Sequence, residues 1–430
     1  MAININEVLY TALQAKASDI HLTVALPPKM RVHGHLISMD NFPVLSADDT
    51  LEMLLSITTD HQREIFNSKG ELDMSFAVDG IGRYRVNAFR QRGSVAMALR
   101  AVNTVVPSPE QLGLPSAFVD LYTRKRGLIL VTGPTGSGKS TSLASIINQV
   151  NEHRDAHIIT LEDPIEYLHR HDLSIVNQRE IGLDTETYAN ALRAALREDP
   201  DVILVGEMRD LETMKLAIAA SETGHLVFST LHTNSAYESV NRIVGSFPGD
   251  VQQTIRMQLA ASIRGIISQR LIPAYLGQGR VLAYEVLLGT TPVKRCIKED
   301  KTDQIISTMQ TSRQEGMITM DQCLEDLVVS KKISYDDAFK NALDKKDFQK
   351  RLETRVGKEL AKTSYNWKTL KEALIENASQ PALDFGKHVI PYCHSKRDIL
   401  SDFLIQLLKI NSLVFKFYCF HSATDIYANH

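Results

Sequence analysis

Apolar and polar side chains alternate along several short segments of the first hundred residues. Residues 29–37, 72–78 and 83–89 show this period of two, which is typical of strands with one buried face. A short helical pattern precedes them. The segment NTVVPSPEQLGLP, residues 103–115, holds three prolines among other turn formers, which indicates a linker. The pattern therefore predicts a small α+β domain over residues 1–102 and a linker over residues 103–115.

Runs of apolar residues separated by amphipathic helices begin at about residue 127. This alternation is typical of a parallel sheet covered on both faces, and it predicts an α/β nucleotide-binding core over residues 116–300. Strands are expected over residues 128–132, 157–161, 202–205, 226–230 and 281–287.

Three helices are expected between and after these strands. Two of them cover residues 139–150 and 210–223, and Gly224 is well placed to end the second. A third pattern repeats an apolar residue every four positions and predicts one long helix. Its apolar residues are Val251, Ile255, Leu259, Ile263 and Ile267.

The chain becomes mainly helical past about residue 300. We expect a helical subdomain over residues 301–350 and an extension of unknown role over residues 351–430. One stretch of the extension has helical spacing, and it is interpreted first as a helix packed on its own domain, second as a partner or membrane-surface helix. Its apolar residues are Ile399, Leu400, Phe403, Leu404, Leu407 and Leu408.

Composition narrows the choice of partners and location. The net charge of −3, from 48 basic and 51 acidic side chains, gives no broad positive surface, so no nucleic-acid partner is expected. The four cysteines are scattered without a CxxC pair, which favours reduced cytosolic thiols over a zinc site. Residues 399–420 form the most apolar late stretch, and charged and polar residues interrupt it. We therefore expect a cytoplasmic protein with no transmembrane segment.

A glycine-rich segment, GPTGSGKS, follows the apolar run LILVT and precedes a helical pattern. It matches the phosphate-binding loop GxxxxGK[ST] in the context that this motif requires. The backbone amides can point at phosphates, Lys139 can reach the β- and γ-phosphates, and the Ser140 hydroxyl can bind Mg²⁺. An ATP site with Mg²⁺ is therefore predicted. Its residues are Gly133, Pro134, Thr135, Gly136, Ser137, Gly138, Lys139, Ser140 and Thr141.

Phosphoryl transfer also requires a carboxylate near the metal and a group that orients or deprotonates the attacking water. Glu207 follows the strand at 202–205, where a P-loop fold places its metal-side acid, so it is a second candidate ligand of Mg²⁺. A solvated carboxylate after a strand is the alternative interpretation.

A second acidic stretch, IITLEDPIEYLH, places Glu162, Asp163 and Glu166 around Pro164. Like charges this close are costly unless a cation such as Mg²⁺ lies among them, and a solvated acidic turn is the alternative. His232, in STLHTNS, ends another strand. Open α/β sheets bind ligands at the carboxyl ends of their strands, so His232 is either a γ-phosphate sensor or a structural histidine.

Several blocks of the chain closely resemble the type IV pilus retraction ATPases, the PilT family of secretion-superfamily motors. The resemblance runs from about residue 17 to about residue 337. It is carried by GPTGSGKST, ITLEDPIEYLH, NQREIG, ALREDPDVILVGEMRDLET and ETGHLVFSTLHTNSA, with ASDIHLTVALPPKMRVHG and RYRVNAF before them and GMITMDQCLEDLV after.

The resemblance implies a RecA-like P-loop ATPase domain preceded by a small α+β, PAS-like domain. It implies a homo-hexameric ring whose ATP turnover moves the domains and powers pilus retraction in twitching motility. The expected partners are an inner-membrane pilus platform protein, the pilus machinery and a paralogous retraction ATPase. The expected location is the cytoplasmic side of the inner membrane, at the pilus base.

The resemblance also implies roles for individual residues. Glu207 would be the Walker B acid and Glu166 the catalytic glutamate that positions water, while His225 and His232 correspond to the His box. Two arginines of the first domain match residues that reach toward the γ-phosphate, where they would make hydrolysis depend on domain closure. They are Arg85 of RYRVN and Arg100 of MALRAV.

The chain departs from the family in its C-terminal region. Family members that retract pili typically carry AIRNLIRE, and the aligned stretch here is PVKRCIKE, with Lys294 and Lys298 in place of arginines. Lysine cannot reproduce the forked hydrogen bonds of a guanidinium, so an accessory retraction paralogue is one alternative.

Other classes of protein also use a P-loop. A pilus assembly or type II secretion ATPase usually carries a tetracysteine zinc element, which the scattered cysteines cannot build. A RecA-like nucleic-acid motor would show basic loops interleaved with aromatic residues. A nucleotide-gated binding module without turnover would be expected to lack Lys139, Glu166 or Glu207, and all three are present.

Overall fold

The computed structural model describes residues 3–32, 34–102, 105–275 and 279–356. Within these ranges, no helix is both long and apolar enough to cross a membrane. The helical spacing between Ile399 and Leu408 and all but the first few residues of the expected extension lie outside them.

The first part of the chain forms a six-stranded antiparallel sheet with strand order β3-β2-β1-β6-β5-β4. The strands are β1 (Asp19–Leu22), β2 (Lys29–Val32), β3 (His35–Ser38), β4 (Glu71–Val78), β5 (Gly82–Gln91) and β6 (Ser94–Val102). Three helices accompany them, α1 (Ile5–Gln14), α2 (Ala47–Ile57) and α3 (Asp60–Lys69). The predicted α+β domain is therefore present.

Alternation along the strands divides the sheet into a buried face and a polar face. Tyr84, Val86 and Leu99 are buried in a core with α1 and α2, while Arg85 and Arg100 are exposed on the other face. The expectation of one strand-like run over residues 29–37 is wrong. The segment forms the hairpin of β2 and β3, and Gly34 between them has a φ of +85°.

The second sheet has seven strands in the order β13-β12-β7-β11-β10-β8-β9, parallel except for the β12–β13 pair. Its strands are β7 (Gly127–Thr132), β8 (His157–Glu162), β9 (Ile175–Glu180), β10 (Val202–Val205), β11 (Leu226–Leu231), β12 (Ile263–Pro273) and β13 (Arg280–Leu288). The five predicted strands are confirmed. The strands β9 and β12 were not predicted.

Helices cover both faces of this sheet. Those up to residue 300 are α4 (Pro109–Leu112), α5 (Ser116–Val119), α6 (Lys139–His153), α7 (Tyr188–Ala195), α8 (Leu211–Glu222), α9 (Ala236–Gly245), α10 (Gln252–Ser262) and α11 (Thr291–Lys298), and a 3₁₀ turn, Asp120–Thr123, follows α5. In β7, Leu128 and Leu130 pack into one core, while Ile129 and Val131 pack into the other. The α/β interpretation of this region is confirmed.

The expected long helix over residues 251–267 is wrong. Helix α10 ends at Ser262, and Ile263 and Ile267 belong to β12, which pairs with β7. A spacing of four residues is also a multiple of the strand period of two, so the apolar repeat continues through both elements. At Gly265 the strand passes close to the 3₁₀ turn after α5, since a Cβ there would lie 2.4 Å from Leu121 Cδ1.

The remaining described residues form helices and a 3₁₀ turn at Arg313–Glu315. The helices are α12 (Gln304–Thr311), α13 (Met320–Val329), α14 (Tyr335–Asn341) and α15 (Lys345–Val356). Helix α12 packs beside α11, while the other three cover the antiparallel edge of the second sheet. Leu324 and Phe348 share a core with Ile272 and Ala283 of β12 and β13. Helix α15 runs through residue 350, where we expected the extension to begin, and α4 lies inside the expected linker.

Candidate functional site

The carboxyl ends of four parallel strands meet at one edge of the second sheet. Thr132 of β7 pairs with Leu231 of β11, and Val205 of β10 pairs with Leu161 of β8 and Ser229 of β11. The segments that follow these strands contain the glycine-rich loop, the acidic stretch, Glu207 and His232. In open α/β sheets this edge is where ligands bind, so the fold assembles four of the predicted features in one place.

The glycine-rich loop between β7 and α6 depends on backbone conformations that favour glycine. Gly133, Gly136 and Gly138 have φ values of 141°, 77° and 90°. At Gly133 a Cβ would lie 2.4 Å from the carbonyl oxygen of Gln269 in β12, so the loop passes directly against that strand. The sequence pattern and the tertiary packing therefore both require glycine at this position.

Two features of the loop fit a bound phosphate chain. The N-cap of α6 is Gly138, and no described side chain caps the first turn, so its amides are available to an anion. Within the described part of the chain the buried Ser137 Oγ has no hydrogen-bond partner, and a phosphate oxygen would accept from it. The residues present therefore suit the phosphates of a nucleotide.

Lys139 lies across the loop and is almost completely buried. Its Nζ donates to the carbonyl oxygens of Gly133 at 3.0 Å and Pro134 at 3.1 Å. Burial lowers the pKa of Lys139, and the carboxylates of Glu207 and Glu166 act in the opposite direction. Both predicted acids are thus within electrostatic reach of the loop lysine, on its side of the sheet.

Glu207 follows β10 directly after Gly206 and is held from two sides. Its Oε2 accepts from Arg209 Nε at 2.8 Å, and its Oε1 lies 3.3 Å from His232 Nε2. Gly206 is required, because a Cβ there would lie 2.9 Å from the Tyr188 hydroxyl and 3.1 Å from the Leu161 carbonyl oxygen. The structure therefore brings together the predicted metal-side acid and the predicted sensor histidine.

The three carboxylates around Pro164 have different surroundings. Glu162 accepts from Thr160 Oγ1 at 2.6 Å and from Gln178 Nε2 at 3.1 Å, and burial raises its pKa. Asp163 and Glu166 are exposed. The expectation that all three crowd around one cation is therefore wrong, because Glu162 is bound within the protein and Glu166 remains available.

The strand β9 supports this acidic segment, a role that the sequence reasoning missed. Gln178 Nε2 donates to the Tyr167 carbonyl oxygen at 2.9 Å, and Gln178 Oε1 accepts from the His169 amide at 2.8 Å. The Tyr167 hydroxyl lies 3.1 Å from Thr141 Oγ1 at the start of α6. The block NQREIG carried the signal, since its polar residues fill an edge strand beside the acidic segment.

His225 lies at the opposite edge of the sheet from the glycine-rich loop. It immediately precedes β11, where Leu226 pairs with Gly127 at the start of β7, and its Nδ1 is 3.0 Å from the Ala220 carbonyl oxygen. The loop follows Thr132 at the far end of β7. Within one chain, therefore, His225 does not adjoin the glycine-rich loop, and its assignment as a binding residue stays a prediction.

The two predicted arginines lie side by side on the N-terminal sheet. Arg85 of β5 pairs with Arg100 of β6, and both side chains are exposed. Arg100 Nε donates to Asp19 Oδ1 at 2.9 Å. Among the described residues, neither arginine has a hydrogen bond to the glycine-rich loop. The two arginines are therefore neighbours, but they do not contact the loop of their own chain.

The sequence profile of the Type II/IV secretion system protein family matches residues 1–277. The chain is 45% identical over 340 residues to the type IV pilus retraction ATPase PilT of Pseudomonas aeruginosa, covering 79% of this chain and 98% of that protein. It belongs to the PilT family of secretion ATPases.

Two further comparisons agree with this assignment. A solved structure of the pilus retraction motor PilT with bound ADP superposes with a TM-score of 0.76 at 49% identity, covering 80% of this chain and 98% of that one. The type IV pilus ATPase PilU of Pseudomonas aeruginosa is 40% identical over 353 residues, 82% of this chain and 92% of that protein. The prediction of a nucleotide-binding ATPase is confirmed.

The stretch PVKRCIKE forms most of α11 and its C-terminal end. Val293 and Ile297 are buried, while Glu299 accepts from Arg295 Nε at 2.6 Å and from Lys301 Nζ at 2.7 Å. These two cations lower the pKa of Glu299 to about 2. The helix packs beside α10.

Proposed function

We propose that this chain is an ATP-hydrolysing motor that powers type IV pilus retraction as a ring of six copies. The observation that carries the proposal is the joining of Lys139, Glu207, His232 and Glu166 at one sheet edge, in a chain that aligns with nearly the whole length of PilT. The ring supplies neighbouring copies whose surfaces complete each site.

The residues at the carboxyl ends of these strands have different roles in hydrolysis. Lys139 and the first amides of α6 hold the β- and γ-phosphates. The Ser140 hydroxyl and the Glu207 carboxylate would hold Mg²⁺, and the bound cation would neutralise charge on the phosphates. Glu166 orients the attacking water, because its side chain is exposed, whereas Glu162 accepts a hydrogen bond from Thr160.

His232 reports the state of the γ-phosphate to Glu207. Its Nε2 faces the carboxylate at 3.3 Å, so a change in what the imidazole binds changes the charge seen by the metal-side acid. Arg85 and Arg100 complete the site when the N-terminal sheet closes on it. Because both are exposed on one face, they can move to the γ-phosphate together.

An accessory retraction paralogue is the alternative function, and PVKRCIKE is the observation that favours it. Lys294 and Lys298 retain positive charge on α11 without the planar fork of arginine. In either case the proposed partners are the inner-membrane platform protein and the pilus machinery, and the proposed location is peripheral at the inner membrane.

The deciding experiment is deletion of the gene in its host, followed by counting surface pili and measuring twitching. Hyperpiliated, non-motile cells support the retraction motor, whereas bald cells would show an assembly motor. Piliated, motile cells would contradict both functions. The wild-type gene should restore twitching and the Lys139→Ala gene should not, because the phosphate-binding ammonium is lost.

A double variant, Lys294→Arg with Lys298→Arg, separates the two retraction functions in cells that lack both this gene and any paralogous retraction ATPase gene. If the chain is the main motor, it restores twitching as well with its own lysines as with the arginines. Restoration by the arginine variant alone would identify the wild-type chain as the accessory form.

A further inference from the structure

Glu180 is a buried carboxylate at the end of β9 to which the hydrolysis scheme gives no role. Only 5% of the residue is exposed. A buried carboxylate is costly unless charged or hydrogen-bonding partners surround it, so its contacts should show what it does. Those contacts come from two different sheets.

The N-terminal sheet supplies two side chains to Glu180. Ser75 Oγ of β4 lies 2.8 Å from Oε1 and 3.0 Å from Oε2, and Arg83 Nη2 of β5 lies 3.0 Å from Oε2. The pair with Arg83 is partly shielded from water, since 21% of the arginine side chain and 7% of the glutamate side chain are exposed. These bonds join segments about a hundred residues apart in sequence.

The ATPase core supplies the other contacts. The Ile165 amide lies 3.4 Å from Glu180 Oε2, and Ile165 is the residue before Glu166. The backbone of Glu180 is fixed in turn, because its amide donates to Asp184 Oδ2 at 2.8 Å and the following amide donates to the Glu162 carbonyl oxygen at 2.8 Å. One carboxylate thus contacts both the N-terminal sheet and the segment that carries Glu166.

The strand register connects this contact to the predicted arginines. Ser75 pairs with Arg85 across β4 and β5, and Arg83 lies two residues before Arg85, on the same face of β5. A displacement of the sheet that moves Arg85 must therefore also displace the two side chains that hold Glu180.

We propose that Glu180 is a positioning residue that couples the placement of the N-terminal sheet to the placement of Glu166. This inference rests on the proposed role of Glu166. The carboxylate of Glu166 is correctly placed to orient water only when Ser75 and Arg83 contact Glu180. Charge is needed for this, because a carboxylate can accept from the serine, the arginine and the Ile165 amide together. Hydrolysis thereby becomes dependent on domain position through a contact outside the phosphate site.

The test uses the full-length chain and the variants Glu180→Gln, Arg83→Met and Arg83→Lys. For Glu180→Gln and Arg83→Met we expect kcat to fall about tenfold or more, because a displaced catalytic group costs rate steeply. The affinity for a fluorescent ATP analogue should change less than about twofold, since neither residue contacts the glycine-rich loop. The amides of residues 165–167 should exchange hydrogen faster in both variants.

Two comparisons distinguish coupling from a general structural effect. Arg83→Lys should retain most of the wild-type kcat. A single arginine donor, Nη2, contacts Glu180 Oε2, and lysine also provides a charged donor. The double variant Glu180→Gln with Arg83→Met should be no slower than the worse single variant. An unchanged kcat in Glu180→Gln, or additive losses in the double variant, would overturn the proposal.

The matched control is Glu198→Gln. Glu198 accepts from Arg179 Nη1 at 3.3 Å, so this change removes a similar ion pair anchored one residue before Glu180, without a contact to the N-terminal sheet. It should leave kcat unchanged. Should Glu180→Gln fail to fold, Ser75→Ala with Arg83→Met tests the same contact from the N-terminal side.

Glu166→Gln separates failure of this inference from failure of the proposed function. If that variant still hydrolyses ATP at the wild-type rate, the role of Glu166 is wrong, and the coupling falls with it. If it is inactive while Glu180→Gln is normal, Glu166 retains its role and only the coupling is wrong.

Discussion

His232 Nε2 lies 3.3 Å from Glu207 Oε1 at the carboxyl edge of the ATPase sheet. The two residues follow neighbouring parallel strands, β11 and β10, and Arg209 holds the other oxygen of the carboxylate at 2.8 Å. The proposed metal-side acid and the proposed sensor are thus already in contact within a single chain.

Replacing His232 with alanine should reduce kcat by about tenfold or more, because the contact that tunes Glu207 is removed. The affinity for ATP should stay within a few-fold of wild type, since the glycine-rich loop is intact. Steady-state hydrolysis and nucleotide binding measure the two effects. His153→Ala, at the exposed end of α6, is the control, and equal rates in the two variants would exclude the sensor role.

Replacing Glu166 with glutamine should stop turnover while leaving ATP binding largely intact. The amide cannot act as a base toward the attacking water, and a loss of about a hundredfold or more is expected for such a group. Binding of an ATP analogue and phosphate release are the measurements. Glu186→Gln is a matched exposed control. Parallel loss of binding and turnover in Glu166→Gln would assign this residue a different role.

Replacing Gly133 with alanine should abolish nucleotide binding and lower the free energy of unfolding by about 1–3 kcal/mol. The new Cβ would lie 2.4 Å from the Gln269 carbonyl oxygen and 2.7 Å from Ser137 Oγ, so the loop must shift. Binding and chemical denaturation test this. Gly80→Ala is the control, because Gly80 also has a positive φ, of 77°, but faces open space. Normal binding by Gly133→Ala would refute the close packing against β12.

Glu285 should make stability depend on pH near neutrality. This carboxyl of β13 accepts from the amides of Ala236 and Met320, and burial raises its pKa to about 7 from 4.5. The folded chain therefore retains a proton that the unfolded chain releases between these two values. The contribution of Glu285 to the free energy of unfolding is therefore largest below about pH 4.5. It falls with rising pH by on the order of 1.4 kcal/mol per pH unit and levels off above about pH 7.

Denaturation midpoints of wild type and Glu285→Gln between pH 5 and 8 provide the measurement. The difference between the two proteins should change with pH in this direction, because glutamine does not titrate. Parallel curves would show that Glu285 has the same pKa in the folded and unfolded states. The comparison uses the slope alone, since the amide also changes the hydrogen bonds to α9 and α13.

The amino-acid sequence predicted best what is encoded in contiguous residues. Strand β7, the glycine-rich loop and α6 follow one another within about thirty residues, and their glycines, lysine and apolar run each have a local reason. The strands β10 and β11 were equally clear, because both are entirely buried. Glu207 and His232 were found from their positions at the ends of these strands.

The sequence was a poor guide where one pattern fits two structures. The apolar repeat through Ile263 and Ile267 satisfies both a helix and a strand, and pairing of β12 with β7 decided between them. Strand β9 reads IVNQRE, with four polar residues of six, because it forms the edge of its sheet. The family resemblance assigned both His225 and His232 to the nucleotide site, although the whole of β11 lies between them.

The residues alone were enough to identify a nucleotide site with a P-loop, and to name the acids and the histidine that follow the neighbouring strands. The contact of Glu162 with Gln178, and those of Glu180 with Ser75 and Arg83, were visible only in the folded chain. The reason is physical: a loop's chemistry depends on adjacent residues, whereas these contacts depend on strand order and on the packing of one sheet against another. Neither the strand order nor the packing of the sheets can be inferred from the residues of any single segment.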